Sequence, residues 1–401
     1  MKRLLTAYAC LAMSFVLPSL SLAQNTSSFY ERDIAIVLPH DLNTPVRLQG
    51  AGDAIFNRSW LSSVNQAFSA TAVGNTLEIE NRLSDWRLVT ARLVPCSPLS
   101  KSVLADQDIF CWPEVRQVWQ PVMEDFQGRT VRHPYFADDR AIHVLYDVTP
   151  TGSDAAVLKQ MKNQLDSDPK GTSVPSELRQ RFVTARNSVV TGFMQEILSL
   201  RDPSLSTSSL RGNGVRPELY DNATEDQFIQ RLISFFGRNA PVREIKELTA
   251  FSLPEGREPA HIDEWIFVQF FGNSGRLVQQ DIKIFDRTHG RELVSIGPSE
   301  SSSMTRDDAR IYDLIELNPA LERTLRETVL LFETDRAALN AKIADRREVL
   351  VPNTSCASCH KFNGLNFNFH NFSYFEELDL EIAPRTRKDV ELDLAWLVRW
   401  L

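Results

Sequence analysis

Residues 265–284 have the sequence WIFVQFFGNSGRLVQQDIKI, in which two β-rich runs are separated by a short turn of glycine, asparagine and serine. Two such runs around a Gly/Asn turn are typical of a β-hairpin. The first run is apolar on both faces, which predicts a strand buried inside a sheet rather than one at its edge. The glycines could instead cradle a phosphate, but no helix and no Lys-Ser or Lys-Thr pair follows them, so a hairpin is favoured.

The chain from residue 24 to residue 150 is predicted to be a β-rich domain. Proline, glycine and serine separate its short runs at intervals typical of a sandwich or an open barrel. The predicted strands cover residues 33–38, 77–80, 86–89, 115–119 and 141–146. Cys96 and Cys111 lie close together in this domain, and a disulfide between them would join two of the strands. Two unpaired buried thiols are the alternative.

A helical section, residues 151–202, lies between this domain and the hairpin. Apolar residues at every third or fourth position predict one amphipathic helix, with the stripe Leu178, Phe182, Ala185, Val189, Phe193, Ile197 and Leu200. A shorter helix is predicted over residues 159–166. Residues 203–222 are rich in proline, glycine and serine, which predicts a linker or long surface loop. A mixed α/β section that includes the hairpin follows over residues 223–303.

The last section, residues 304–401, is predicted to be mostly helical. One helix is expected over residues 319–343. A second is expected over residues 387–401, opened by Thr386 and Asp389 at the spacing of a capping box. The expected fold class is therefore α+β, with a β-rich N-terminal domain, a mixed middle section and a small, mostly helical C-terminal segment.

The C-terminal section contains the sequence Cys356-Ala357-Ser358-Cys359-His360. Two cysteines at this spacing, followed by histidine, form the attachment pattern of c-type haem. Each thiol bonds to one vinyl group of the porphyrin, and His360 then lies beneath the iron as its proximal ligand. A zinc site would need further thiols or histidines at ligand spacing. A thioredoxin-like pair would follow a strand at the start of a helix, whereas residues 351–355 form a predicted loop.

At this motif the chain resembles the c-type cytochromes. The resemblance rests on these five residues and extends loosely over about the last eighty, where one helix precedes the motif and another closes the chain. It implies a single haem c that is covalently bonded to Cys356 and Cys359 and ligated by His360, in a cytochrome c-like segment. Aromatic residues are concentrated between residues 362 and 375, where they would supply the apolar walls that haem needs.

The sixth iron ligand is where this chain departs from that family. Class I cytochromes usually take a methionine downstream of the haem motif, whereas the last methionine here is Met304. His370 lies downstream and is the candidate distal ligand. The candidates from other sections are Met304, His289, His261, His143 and His133. An open or water-bound iron is the third alternative.

The first 23 residues predict a signal peptide for export. Lys2 and Arg3 precede an apolar run, and Ser21-Leu22-Ala23 supplies a small-x-small cleavage pattern. That run is too short to span a bilayer, and no later stretch is predicted to span one. Export and haem attachment together imply the periplasm of a Gram-negative bacterium. The net charge, −8 for the chain and −10 without Lys2 and Arg3, argues against nucleic acid or anionic lipid as a partner.

Two functions from different classes fit this sequence. The first is a single-haem protein that transfers electrons to or from a redox partner protein, since two protein ligands would leave the iron no room for a substrate. The second is a haem enzyme or a gas sensor with an open distal iron position, which would need acid–base groups beside the iron. Electron transfer is favoured, and no catalytic residue is assigned.

Overall fold

The computed structural model describes residues 29–38, 56–69, 86–100, 102–121, 123–124, 130–131, 140–150, 152–220, 222–252, 266–273, 275–280, 282–286, 292–296, 345–348 and 384–400. The six α-helices in these ranges are α1 (Glu31–Ile34), α2 (Arg58–Ser69), α3 (Ser153–Ser167), α4 (Ser176–Leu198), α5 (Asn222–Asn239) and α6 (Pro384–Trp400). Short 3₁₀ helices cover Thr207–Leu210, Pro217–Tyr220 and Val242–Glu244.

Within the described ranges the main sheet has seven antiparallel strands. They are β1 (Ala35–Val37), β2 (Trp86–Pro98), β3 (Cys111–Pro121), β6 (Arg140–Asp147), β7 (Ile245–Ser252), β8 (Ile266–Asn273) and β9 (Arg276–Gln280). Their spatial order is β1–β2–β3–β6–β7–β8–β9. Two small two-stranded sheets pair β4 (Met123–Glu124) with β5 (Thr130–Val131) and β10 (Ile282–Asp286) with β11 (Glu292–Ile296).

One face of the main sheet is apolar. Ile142 pairs with Ala250, and Val144 pairs with Leu248, so these four buried side chains share a face. Helices α2, α4 and α5 add their apolar sides to the same core. The core therefore lies between this face and the helices, as expected for an antiparallel sheet whose strands alternate between apolar and polar residues.

The opposite face carries charged residues. Arg92 on β2 pairs with Arg116 on β3, and Glu114 lies two residues from Arg116, so all three side chains project from this face. His143 on β6 faces Val118 on β3 and belongs to the same face. Arg92 and Glu114 are buried, which charged residues tolerate only when they are paired.

The predicted α+β class is confirmed. The predicted strands 86–89, 115–119 and 141–146 lie within β2, β3 and β6. The predicted amphipathic helix is α4, and its buried residues include most of the predicted stripe. The hairpin is also present, because β8 and β9 pair around Gly275, whose φ of 79° favours glycine.

The expected sandwich or barrel of residues 24–150 differs from the observed arrangement. Strand β6 pairs with β7, so strands from both sides of the helical section form one sheet. The 203–222 stretch, predicted as a linker or loop, contains two of the 3₁₀ helices, and its Val215 and Leu219 are buried in the same core. Strand signals in a sequence are local, whereas this pairing joins residues about a hundred positions apart and leaves no local signal.

Helix α2 was not predicted, since residues 24–150 were expected to be mostly β. Its apolar residues Trp60, Leu61 and Val64 recur at helical spacing and are buried. Asn57 lies just before the helix, where its Oδ1 accepts a hydrogen bond from Ser59 N at 2.9 Å. The helical spacing of these apolar residues and the capping Asn57 were both visible in the sequence. The serines within the helix weaken the prediction, because serine is a poor helix former.

Gly272 is expected to be intolerant of a side chain. A Cβ atom there would lie 1.8 Å from the Ile245 carbonyl oxygen of β7, and a backbone atom cannot move aside cheaply. We expect Gly272→Ala to lower the free energy of unfolding by about 3 kcal/mol, as measured by urea denaturation. Gly192→Ala is the control, because a Cβ there meets nothing within 4 Å and alanine favours the α4 helix. Equal stabilities of the two variants would contradict this account.

Candidate functional site

The residues predicted to hold haem lie outside the described ranges. These are Cys356, Cys359, His360 and His370, together with the alternative ligands Met304, His289, His261 and His133. The predicted signal peptide (1–23), the strand at 77–80 and the helix at 319–343 also lie outside them. The structure does describe the chain on both sides of the motif, as the turn 345–348 and helix α6. We call these two the flanking segments.

Helix α6 is anchored in the core. It begins at Pro384, a residue favoured at the first position of a helix. Val390, Trp396 and Leu397 are fully or almost fully buried and belong to the main apolar cluster. The predicted capping box at Thr386 is wrong, because the helix starts two residues earlier and that residue lies inside its first turn.

Asp393 of α6 is the centre of a buried ionic cluster. Its two carboxylate oxygens accept hydrogen bonds from Arg92 Nη2 at 2.5 Å and from Arg346 Nη1 at 2.6 Å. Arg92 also donates to the Ile34 carbonyl oxygen at 2.8 Å. The Asp393 side chain has no exposed area, and the two arginine side chains are each 8% exposed. This cluster therefore fastens both flanking segments to strand β2.

A second ionic cluster lies beside the first on the polar face. Glu114 pairs with Arg116 and with Lys246, each at 2.5 Å, and Lys246 reaches Asp147 at 3.2 Å. Asp389 of α6 lies 3.9 Å from Arg116 and adjoins this cluster. Burial alone would raise the pKa of Glu114, but Lys246 and Arg116 outweigh it and lower that pKa to about 2. Glu114 is therefore a carboxylate at every physiological pH.

His143 is the one alternative iron ligand that the structure describes. It lies on the polar face of β6, across from Val118. Burial, with a smaller effect from Arg116, lowers the pKa of His143 to about 4. The imidazole is therefore neutral at pH 7.

The free energy of unfolding is expected to decrease in two overlapping steps as pH falls below 7. The pKa of His143 is lowered to about 4, so its contribution is complete above about pH 6.5 and is lost as pH falls to 4. Glu114 contributes fully above about pH 4.5 and less as pH falls towards 2. For His143 the lowered pKa corresponds to about 3 kcal/mol of the free energy of unfolding. Urea denaturation of wild type and His143→Asn between pH 7 and pH 4 measures the first step. If the stability of His143→Asn fell between pH 7 and pH 4 as steeply as that of the wild type, the assignment of this step to His143 would be wrong.

Cys96 and Cys111 form the predicted disulfide. Their Cα atoms are 4.9 Å apart, and the bond joins the end of β2 to the start of β3. It closes a loop of 15 residues, which on the chain-entropy estimate stabilises the fold by about 3 kcal/mol. Residues 97–110, which we call the disulfide loop, are therefore held close to the sheet.

The disulfide loop contacts both flanking segments. Gln107 Nε2 donates to the Arg346 carbonyl oxygen at 3.0 Å. Trp396 Nε1 donates to the Asp108 carbonyl oxygen at 3.0 Å, and Arg399 pairs with the Asp108 carboxylate at 2.8 Å. A cavity of about 240 Å³ lies between this loop, Arg346, Arg347 and Leu392.

The described residues form neither a cluster of metal ligands nor a membrane-spanning helix. No group of three or more His, Cys, Asp or Glu side chains in these ranges is arranged to hold a metal ion. No helix among the same residues has the length and apolar character needed to cross a membrane.

The sequence did not predict the charged residues that anchor α6. Asp393 and Arg92 are 301 positions apart, and no spacing rule connects them. One local signal was available, since Arg385, Asp389 and Asp393 recur every fourth residue and so share one side of α6.

Comparison with protein-family models, curated proteins and solved structures found no match to this chain.

Proposed function

We propose that this protein is a periplasmic single-haem c-type cytochrome that transfers electrons to or from a protein partner. One observation carries the proposal, the sequence Cys356-Ala357-Ser358-Cys359-His360. Its donor set fits haem, because two thiols at this spacing match the two vinyl groups and the adjacent imidazole can ligate the iron. Bound there, haem would supply a one-electron centre.

The disulfide supports this assignment by removing a competing one. The chain has five cysteines, and Cys10 lies within the predicted signal peptide. Because Cys96 and Cys111 are bonded to each other, they cannot join Cys356 and Cys359 in a four-thiolate zinc site. Cys356 and Cys359 therefore remain the pair that is available for thioether bonds.

The anchoring of the flanking segments also supports it. The chain is fixed at Arg346, ten residues before Cys356, by its ion pair with Asp393. It is fixed again along α6, the helix that carries Asp393. A segment fixed at both ends to a large folded body differs from a haem module on a flexible tether. The described sheet and helices would then present the haem to a partner in a defined orientation.

A haem enzyme or gas sensor is the second candidate, and one observation favours it. No methionine follows Met304, so the usual sixth ligand of class I cytochromes is absent from the sequence after the motif. An iron without a strong sixth ligand would leave a position for peroxide, oxygen, nitric oxide or carbon monoxide.

Absorption spectra distinguish the two candidates. We would express the full chain in a cell that assembles c-type cytochromes and record oxidised and reduced spectra with and without carbon monoxide. An electron-transfer protein with His370 as ligand is expected to be six-coordinate, low-spin and unaffected by carbon monoxide, and His370→Ala should make it high-spin. A high-spin wild type that binds carbon monoxide rapidly would favour the enzyme or sensor. A product without covalent haem would overturn both.

A further inference from the structure

Arg186 of α4 is a buried cation with an unusual set of partners. Its side chain has no exposed area. Nη1 donates to the carbonyl oxygens of Asp108 at 2.8 Å and Ile109 at 2.9 Å, and it lies 3.7 Å from Cys111 Sγ. Nε and Nη2 both donate to Asn187 Oδ1. Within the described ranges no carboxylate lies at ion-pair distance from Arg186, although buried charges are normally paired.

The same guanidinium also contacts α6. It lies 5.0 Å from the ring centroid of Trp396 and 5.0 Å from that of Trp400, close enough for cation–π attraction to both. These two rings are stacked with an interplanar angle of 19°. Arg186 therefore touches the disulfide, the disulfide loop and the C-terminal flanking segment at once.

We propose that the Cys96–Cys111 disulfide is a redox-sensitive switch that, through Arg186 and the disulfide loop, controls how firmly the flanking segments are held. The reductant is a dithiol, and because Cys96 and Cys111 are buried it reaches them when the disulfide loop opens locally. Its thiolate attacks Cys96 Sγ, breaks the sulfur–sulfur bond and releases Cys111 as a thiolate. The second thiol of the reductant then displaces Cys96 and leaves the reductant as a disulfide. Two electrons pass to the protein; one of the two reductant protons ends on Cys96, and the other passes to solvent because Cys111 stays a thiolate beside Arg186.

Arg186 favours the reduced state on electrostatic grounds. A thiolate on Cys111 would give this guanidinium a paired anion, which none of the described residues supplies in the oxidised protein. Burial lowers the pKa of Arg186 to about 10, with Asp108 and Asp106 opposing, so the group still carries its charge at pH 7. A stabilised leaving thiolate speeds cleavage, and a stabilised reduced form makes the disulfide more oxidising.

Reduction would also free the loop that holds the flanking segments. Without the bond, the ordering of residues 97–110 must come from noncovalent contacts alone. Gln107 and Asp108 then lose the fixed positions from which they bind Arg346, Trp396 and Arg399. Opening of the cavity between the loop and Arg346 would follow. The switch goes beyond the proposed function and acts whether or not haem is attached.

Hydrogen exchange on the full chain tests the switch. Because Cys356 and Cys359 could also form a disulfide, we would use the haem-loaded protein and, separately, the full-length variant Cys356→Ser/Cys359→Ser, each before and after dithiothreitol. We expect amides in residues 345–348 and 384–400 to exchange at least tenfold faster after reduction, while β6 and β7 keep their protection. Unchanged exchange in the flanking segments would overturn the proposal, and so would an equal loss of protection in β6 and β7.

The role of Arg186 has its own readout, the equilibrium reduction potential of the disulfide. Thiol labelling in dithiol redox buffers would measure it for wild type, Arg186→Gln and Arg179→Gln. Arg179 is the matched control, because it also lies on α4 and stacks on Phe110 of the loop at 5.0 Å, whereas the hydrogen bond to a disulfide sulfur in the described ranges comes from Arg186. We expect Arg186→Gln to shift the equilibrium about tenfold towards the disulfide, which is about 30 mV. Equal potentials in all three proteins would overturn the role of Arg186.

Discussion

Replacing Asp393 by asparagine is expected to lower the free energy of unfolding by about 4 kcal/mol. The carboxylate has no exposed area and accepts hydrogen bonds from two buried arginines, Arg92 and Arg346. Asparagine keeps the shape of the side chain but leaves two buried positive charges without their anion. Urea denaturation followed by circular dichroism at pH 7 measures the loss.

The control for Asp393→Asn is Glu391→Gln on the same helix. Glu391 has a side chain that is 58% exposed and pairs with Lys388 at 3.4 Å, so its neutralisation is expected to change stability by less than about 1 kcal/mol. The flanking segments give a second readout, since the Asp393 variant should lose protection from hydrogen exchange at residues 345–348 and 384–400. A variant as stable as Glu391→Gln would show that the cluster does not anchor α6.

The double variant Cys356→Ser/Cys359→Ser is expected to contain no covalent haem. Serine hydroxyls do not form the two thioether bonds that hold c-type haem, so the loss should be complete rather than partial. Denaturing mass spectrometry and haem staining of a denaturing gel measure it directly. His360 remains in this variant, and noncovalent binding through the imidazole alone would not survive denaturation.

Ser358→Ala is the matched control for the cysteine variant. This residue lies between the two cysteines and supplies neither a thioether nor an iron ligand, so its replacement should leave haem attachment intact. A cysteine double variant that retains covalent haem would contradict the proposed function. Loss of haem in Ser358→Ala as well would point to a general failure of attachment instead.

Local features of the sequence predicted much of the fold. The periodic apolar residues of α4, the Gly/Asn turn of the hairpin and the runs within β2, β3 and β6 each carry their signal within a few residues. Cys96 and Cys111 were paired correctly because few cysteines remain and they lie close together. The predicted haem motif is equally local, and it stays a prediction because its residues lie outside the described ranges.

The remaining features depend on contacts between distant parts of the chain. Arg346 and Arg92 bind one carboxylate of Asp393 from 47 and 301 positions away, and neither arginine differs in type or spacing from a surface residue. The pairing of β6 with β7 is also invisible in either strand alone. Arg186 resembled an ordinary helix residue, although folding places it against a disulfide and two tryptophans.

The position of Asp393 has a consequence for biosynthesis. Strand β2, with Arg92, is synthesised about three hundred residues before α6 supplies the carboxylate that neutralises it. Until then the polar face of the sheet carries an uncompensated charge, and closure of so long a loop is slow. Chains that stop short of residue 384 would leave Arg92 and Arg346 without the carboxylate of Asp393, so a truncated copy is expected to lack this cluster entirely.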